Sequence, residues 1–348
     1  MSELNGALKK TVCTFLFTHK NKLRLARIKD LVYFNFLQNL PLFSSTLPHK
    51  AFLNSIPKSG TNLLIKAIYH LPGMHSTTLS FHSEMYGTPW QPRRPLRQRI
   101  WRWFPSEKES YNLARQAKLE DGMTDLPSSF IPIGGFHKVF VPKESLGEIL
   151  ALISPGSFFD GHMPYSVAFE HLLAEGNFKS IFIIRDPRDT IVSEINFLHR
   201  ESNLALHEHY KLMEVEEGML SIIQGFEGEE CRYPRQPSFR EILLDYIPWI
   251  SKPNVLVTRF EDLVGPQGGG SVHSQIEQIL LIAHHLEVSI SPKEAGNIAK
   301  SLFGGTHTFR RGVKGAWKED FSPEVKDRCK HFLGDLLIQL GYEKDYSW

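Results

Sequence analysis

Two apolar runs, Ala51 to Ile56 and Ile181 to Ile184, each lead straight into a polar turn and then a helical pattern. A short apolar run bounded by turn residues is the signature of a strand buried on both faces, as in a parallel sheet. Ser157 to Phe159 and Val255 to Phe260 have the same character. After Gly60, Leu64, Ile68 and Leu71 form one helical stripe, and Pro72-Gly73 stops it. After the second turn, Ile191, Ile195 and Leu198 form the inner face of another helix. Strands alternating with helices predict right-handed βαβ units. The expected fold is α/β, a central parallel sheet flanked by helices on both faces. Ligands of such sheets bind beyond the carboxyl ends of the strands, where both turns fall.

The 348 residues are 41% hydrophobic, enough for a substantial core, and are expected to form one domain over residues 1–348. Residues 1–45 are expected to be a basic, amphipathic helical lead-in. Residues 87–135, rich in Pro, Arg, Trp and Gly, are expected to be an insertion or lid with little regular sheet. Gly265 to Gly270 is expected to be a flexible loop. A net charge of +2 gives no reason to expect nucleic acid or a membrane surface as partner, so any anion must be held by local clustering of cations. Cys13, Cys231 and Cys329 are scattered and odd in number, which predicts neither a disulfide framework nor a zinc site. With no signal-peptide pattern and no run approaching ~18 apolar residues, a cytoplasmic location is expected.

Three segments carry chemistry. Pro57-Lys58-Ser59-Gly60-Thr61-Asn62 is a strand-to-helix turn suited to a phosphate. It lacks the upstream glycine and the Gly-Lys-Ser/Thr ending of a Walker A loop, so its lysine needs no partner metal. Arg185-Asp186-Pro187-Arg188-Asp189 opens the second helix, with Ser193 two turns on, and an arginine at a strand end is placed for bidentate contact with a phosphate. Phe309 to Lys318 holds Arg310, Arg311, Lys314 and Lys318 together with Gly312 and Gly315. Each segment alone is also compatible with an ordinary polar turn or solvated loop. Together they describe a pocket for a ligand phosphorylated at two separate places.

In order and spacing the three segments resemble the phosphoadenosine-phosphosulfate sulfotransferase family, over roughly residues 50–330. The resemblance implies a P-loop NTPase-like fold and transfer of a sulfonate group from 3′-phosphoadenosine-5′-phosphosulfate to a hydroxyl or amine of a small molecule, with no metal required. It assigns Lys58, Ser59, Gly60, Thr61 and Asn62 to the 5′-phosphosulfate, and Lys58 also to the bridging oxygen. Arg185, Ser193, Arg310, Arg311 and Gly312 go to the 3′-phosphate. Ser301, Phe303 and Phe260 go to the adenine side. Asp160-Gly161-His162-Met163-Pro164 falls where the family places its catalytic histidine, so His162 is the expected general base, ahead of His82 and His137.

Several positions depart from the family pattern. Asp160 stands where a lysine is usual, which raises the expectation of a cationic acceptor. Leu63 replaces an aromatic residue after the first turn, Ala316 replaces an aspartate, and Arg311 replaces a lysine. The family's dimer motif survives only as Lys318, Ser322, Pro323 and Asp327, so the oligomeric state is left open. Trp90, Arg93, Arg94, Arg97, Arg99, Trp101, Arg102 and Trp103 interleave as in a polyanion-binding surface or a packed lid. Two alternatives therefore stand beside the sulfotransferase: a P-loop-type small-molecule kinase, and a non-catalytic nucleotide- or polyanion-binding protein.

Overall fold

The computed structural model describes residues 47–82, 129–136, 138–202, 204, 206–227, 235–306 and 309–348. The expected N-terminal helix, the Arg/Trp-rich stretch 90–104, His137, Cys13 and Cys231 lie outside these residues.

The chain runs β1 (Lys50–Ser55), α1 (Thr61–Tyr69), β2 (His75–Phe81), β3 (Phe130–Ile133), β4 (Val139–Pro142), α2 (Lys143–Ala151), β5 (Ser157–Gly161), α3 (Val167–Glu175), β6 (Phe178–Ile184) and α4 (Pro187–Arg200). It continues with α5 (Val215–Gln224), the short strands β7 (Phe226–Glu227) and β8 (Arg235–Gln236), α6 (Phe239–Tyr246), β9 (Val255–Arg259), α7 (Val272–His285), α8 (Pro292–Leu302) and α9 (Pro323–Gln339). Five strands form one sheet in the order β2-β5-β1-β6-β9, and every pairing in it is parallel.

Side-chain alternation divides the core into two layers. Phe52, Phe159, Phe182 and Ile184 face one side, where Ile191, Ile195 and Leu198 of α4 pack with residues of α5, α6 and α9. Ala51, Leu53, Phe158, Ile181 and Ile183 face the other, against α1, α7 and α8. All are 2% exposed or less, so the apolar runs are strands covered on both faces, as expected.

Two sequence expectations need correction. The end of the expected lid is regular sheet: β3 pairs antiparallel with β4, and Ile131 and Ile133 are fully buried. A run of only four residues with Pro132 inside it leaves too faint a pattern to find from sequence. The 265–270 loop is not a loose connector either. Gly268 accepts a hydrogen bond from Lys314 N at 3.0 Å, so the loop seats the C-terminal basic segment.

Cys329 is fully buried, and burial pushes its thiol pKa up to about 12, which makes it a core residue rather than a reactive one. Among the described residues no helix is long and apolar enough to cross a membrane.

At the sheet end away from the turns, His49 is 1% exposed, and burial followed by nearby Lys179 lowers its pKa, against the weaker upward pull of Glu287. His285 is lowered too, again mainly by burial. Below the unfolded value of about 6.5, the unfolded chain binds more protons than the native one, so stability falls as pH drops from there toward the native pKa values. Urea midpoints measured from pH 7.5 to 5 are expected to fall, and His49→Phe is expected to flatten that slope. A slope unchanged in the variant would show that His49 does not contribute.

Candidate functional site

The carboxyl ends of β1, β5 and β6 converge on one edge of the sheet, and the predicted segments meet there. Between β1 and α1 the chain turns through Lys58 at φ 67°, a left-handed conformation that a non-glycine residue rarely adopts. Gly60 follows at φ 108°. A Cβ there would come within 2.9 Å of the Phe260 ring and 3.1 Å of Ile183, so only glycine fits. No side chain caps α1, which suits its first N–H groups to an anion. Ser55 and Thr61 share a 2.6 Å hydroxyl contact, and Ser59 Oγ lies 3.5 Å from the Thr190 hydroxyl. The Lys58 ammonium sits 3.6 Å above the Phe197 ring of α4.

Arg185, at the end of β6, joins this turn to the C-terminal basic segment. Its Nη2 donates to Val313 O at 2.8 Å and its Nη1 to Lys58 O at 3.5 Å. Its guanidinium lies 4.3 Å from the Phe260 ring centroid. The residue is 8% exposed, yet its Nε is buried with no acceptor among the described residues. Burial lowers its pKa, opposed by Asp189, Glu261 and Asp186.

Asp189 fastens the basic segment to α4, accepting from Gly315 N at 2.6 Å and Trp317 N at 3.0 Å. Burial raises its carboxyl pKa, while Arg185 and those two N–H groups pull it down. Gly312 has φ 62°, and a Cβ there would strike the Phe309 ring at 2.3 Å. Arg310 reaches Asn196 Oδ1 at 2.7 Å, three residues beyond half-buried Ser193 on α4. Burial lowers its pKa, and the positive charges of Arg311, Arg185 and Arg200 add to that. Mutually repelling cations held this close favour an anion between them.

Arg311 behaves differently from its neighbour. It pairs with Asp320 at 2.8 Å and Glu319 at 2.9 Å, so its charge is spent on the following helical turn. Arg188 is likewise structural: 2% exposed, it bonds Asp186 and Glu343 and packs against both the Trp317 and Trp348 rings.

His162 sits just past β5, 6% exposed. Its Nδ1 is 2.9 Å from the Ser55 carbonyl, which can only accept, so Nδ1 carries the hydrogen and Nε2 is the basic nitrogen. Asn54 holds this turn in place. Its side-chain amide donates to Met163 O and accepts from Met163 N, both at 2.9 Å. The sequence reading passed over Asn54, although a buried amide inside an apolar strand was the available signal. Asp160 is not an open anionic site. Its Oδ2 accepts from Ser80 Oγ at 2.6 Å and lies 2.9 Å from His82 Nε2, so the structure removes the reason for expecting a cationic acceptor.

On the adenine side, Phe260 is 6% exposed and forms a floor beneath Gly60 and Arg185. Phe303 is half-buried and meets Phe309 edge-on at 5.1 Å. Ser301 Oγ donates to Ile298 O of its own helix at 2.8 Å. Lys66, which the sequence reading did not single out, caps α8 by donating to Leu302 O and Gly304 O, both at 2.9 Å. Leu63 is part of the core.

Against known proteins, a family model described as Sulfotransferase domain matches residues 48–341. Cytosolic sulfotransferase 17 of Arabidopsis thaliana is 22% identical over 255 residues, covering 67% of this chain and 70% of its own. Two solved structures are similar at lower identity. Mouse sulfotransferase SULT7A1 complexed with PAP is 16% identical with a TM-score of 0.48, covering 84% of this chain and 86% of its own. Retinol dehydratase in a complex with retinol and PAP is 17% identical with a TM-score of 0.49, covering 87% and 85%. On the family match, which spans most of its length, the chain belongs to the sulfotransferase domain family.

Proposed function

We propose that this sulfotransferase takes its sulfonate group from 3′-phosphoadenosine-5′-phosphosulfate and passes it to a hydroxyl or amine of a small-molecule acceptor, with His162 as general base. The observation that carries this reading is Arg185. It is a buried cation bonded to carbonyls of both the first turn and the C-terminal segment, with an Nε–H that finds no acceptor among the described residues. A buried donor left in that state fits an anionic ligand. Arg185, Ser193, Arg310 and the Gly312 backbone would hold a 3′-phosphate. Ser59, Gly60, Thr61, Asn62 and the start of α1 would hold the 5′ end. Phe260, Phe303 and Ser301 lie on the side assigned to adenine, and Arg311 shapes the loop through its acidic partners more than it offers charge.

The donor supplies the sulfur electrophile and, when its S–O bond breaks, keeps that electron pair as adenosine 3′,5′-bisphosphate. The acceptor's O–H or N–H proton moves to His162 Nε2 as its heteroatom bonds to sulfur. The resulting imidazolium is stabilised by its Nδ1–H bond to the Ser55 carbonyl. Lys58, whose ammonium lies over Phe197 beside the turn, would offset charge growing on the leaving oxygen.

The test is calorimetry with adenosine 3′,5′-bisphosphate and a transfer assay with and without EDTA. Arg185→Ala is expected to weaken the bisphosphate by on the order of 10–100-fold, the scale of hydrogen bonds to a charged group, with a smaller effect on turnover at saturation. Transfer is expected to survive EDTA. Unchanged affinity would remove Arg185 from the donor site, and loss of activity in EDTA would favour a kinase-like reaction.

A further inference from the structure

The ring of His162 is backed by a second imidazole. His82, just past β2, stacks on it with centroids 4.1 Å apart and planes 16° from parallel. His82 Nε2 lies 2.9 Å from Asp160 Oδ2 and 3.2 Å from Ser80 Oγ. Because Ser80 gives its own proton to Asp160 at 2.6 Å, its oxygen can only accept from His82. His82 Nε2 therefore carries a hydrogen, directed at the carboxylate and the hydroxyl. The His82 and Asp160 side chains are 20% and 12% exposed, so water screens this arrangement weakly.

We propose that the Asp160–His82 pair is a positioning device for the base: it fixes the plane of the His162 ring and stabilises the imidazolium formed when that ring takes the acceptor's proton. The proposal rests on His162 being the base. Stacking restrains the ring, and an imidazolium over the face of a neutral imidazole is held by the same attraction as other cation–π contacts. The carboxylate behind His82 gives the pair a net negative charge while His82 is neutral. No proton moves to His82 or Asp160: the acceptor loses one and His162 Nε2 gains it. Against the His162 ring lie His82, just past β2, and the Ser55 hydroxyl and carbonyl of β1, with Ser80 and Asp160 behind His82 and the Thr61 hydroxyl behind Ser55. Lys58 lies on the turn joining β1 and α1.

The experiment compares wild-type protein with Asp160→Asn, His82→Ala and His162→Ala. Asp160→Asn and His82→Ala are expected to lower kcat by on the order of 10–100-fold, as loss of an orienting partner does elsewhere, with unchanged calorimetric affinity for adenosine 3′,5′-bisphosphate. In Asp160→Asn the His162 titration followed by NMR, and the acid limb of kcat/KM, are expected to move to lower pH because a neighbouring negative charge is gone. If His82→Ala does not fold, His82→Phe keeps the ring volume and is expected to lower kcat in the same way. Wild-type kcat and an unmoved His162 titration in these variants, with His162→Ala inactive, would overturn the pair and leave the base standing. Normal turnover in His162→Ala would overturn the base and the pair with it.

Discussion

His162→Ala is expected to lose on the order of 10²–10⁴ in turnover, the usual contribution of a positioned general base, while its affinity for adenosine 3′,5′-bisphosphate is expected to stay near that of the wild type. The split follows from the geometry. His162 is tied to the end of β1 through the Ser55 carbonyl, whereas Arg185 and Arg310 lie at the end of β6 and in the C-terminal segment. In the proposed role the imidazole is the proton acceptor, and removing it leaves those cations in place. The measurement is single-turnover transfer with donor saturating, paired with calorimetry. Turnover within a few-fold of wild type would assign proton removal to another group. A parallel loss of bisphosphate affinity would mean that His162 shapes the donor site instead.

Arg188→Ala is expected to cost about 3–5 kcal/mol of unfolding free energy, the scale for stripping one partner from a buried ion pair. The Arg188 side chain is 2% exposed and those of Asp186 and Glu343 are 11% and 20%, so solvent can compensate little of the stranded negative charge. The cation–π contact with Trp317 at 3.8 Å is lost as well. Because Asp186 caps α4 by accepting from Arg188 N at 2.9 Å, loosening it also disturbs the residue beside Arg185. Arg188→Lys is expected to recover only part of the stability, since an ammonium cannot reproduce the forked contacts. Urea unfolding decides the matter. A loss below about 1 kcal/mol, the range of exposed pairs, would show that the network is solvated.

Much of the layout was legible because two kinds of information are local. Buried parallel strands need continuous apolar runs, and strand-to-helix turns need particular backbone-permissive and cationic residues, so β1, β6 and the residues 57–62 and 185–189 could be read directly. Strands β3 and β4 could not, since four-residue runs carry too little pattern. Arg310 and Arg311 look equivalent in the chain, and so do Arg185 and Arg188 within their motif. What separates them is which carboxylates stand nearby, and those come from Asp320, Glu319 and Glu343, brought in by folding.

From the chain alone came the α/β class, the two strand-to-helix turns and the cationic residues they carry, since each depends on neighbours within a few residues. Only the folded molecule decided that Asp160 is occupied by Ser80 and His82, that Asn54 braces the His162 turn, and that the Arg185 Nε finds no acceptor among the described residues. Those are contacts between residues about 80 to 130 positions apart, and electrostatic character depends on distance in space rather than distance along the polypeptide.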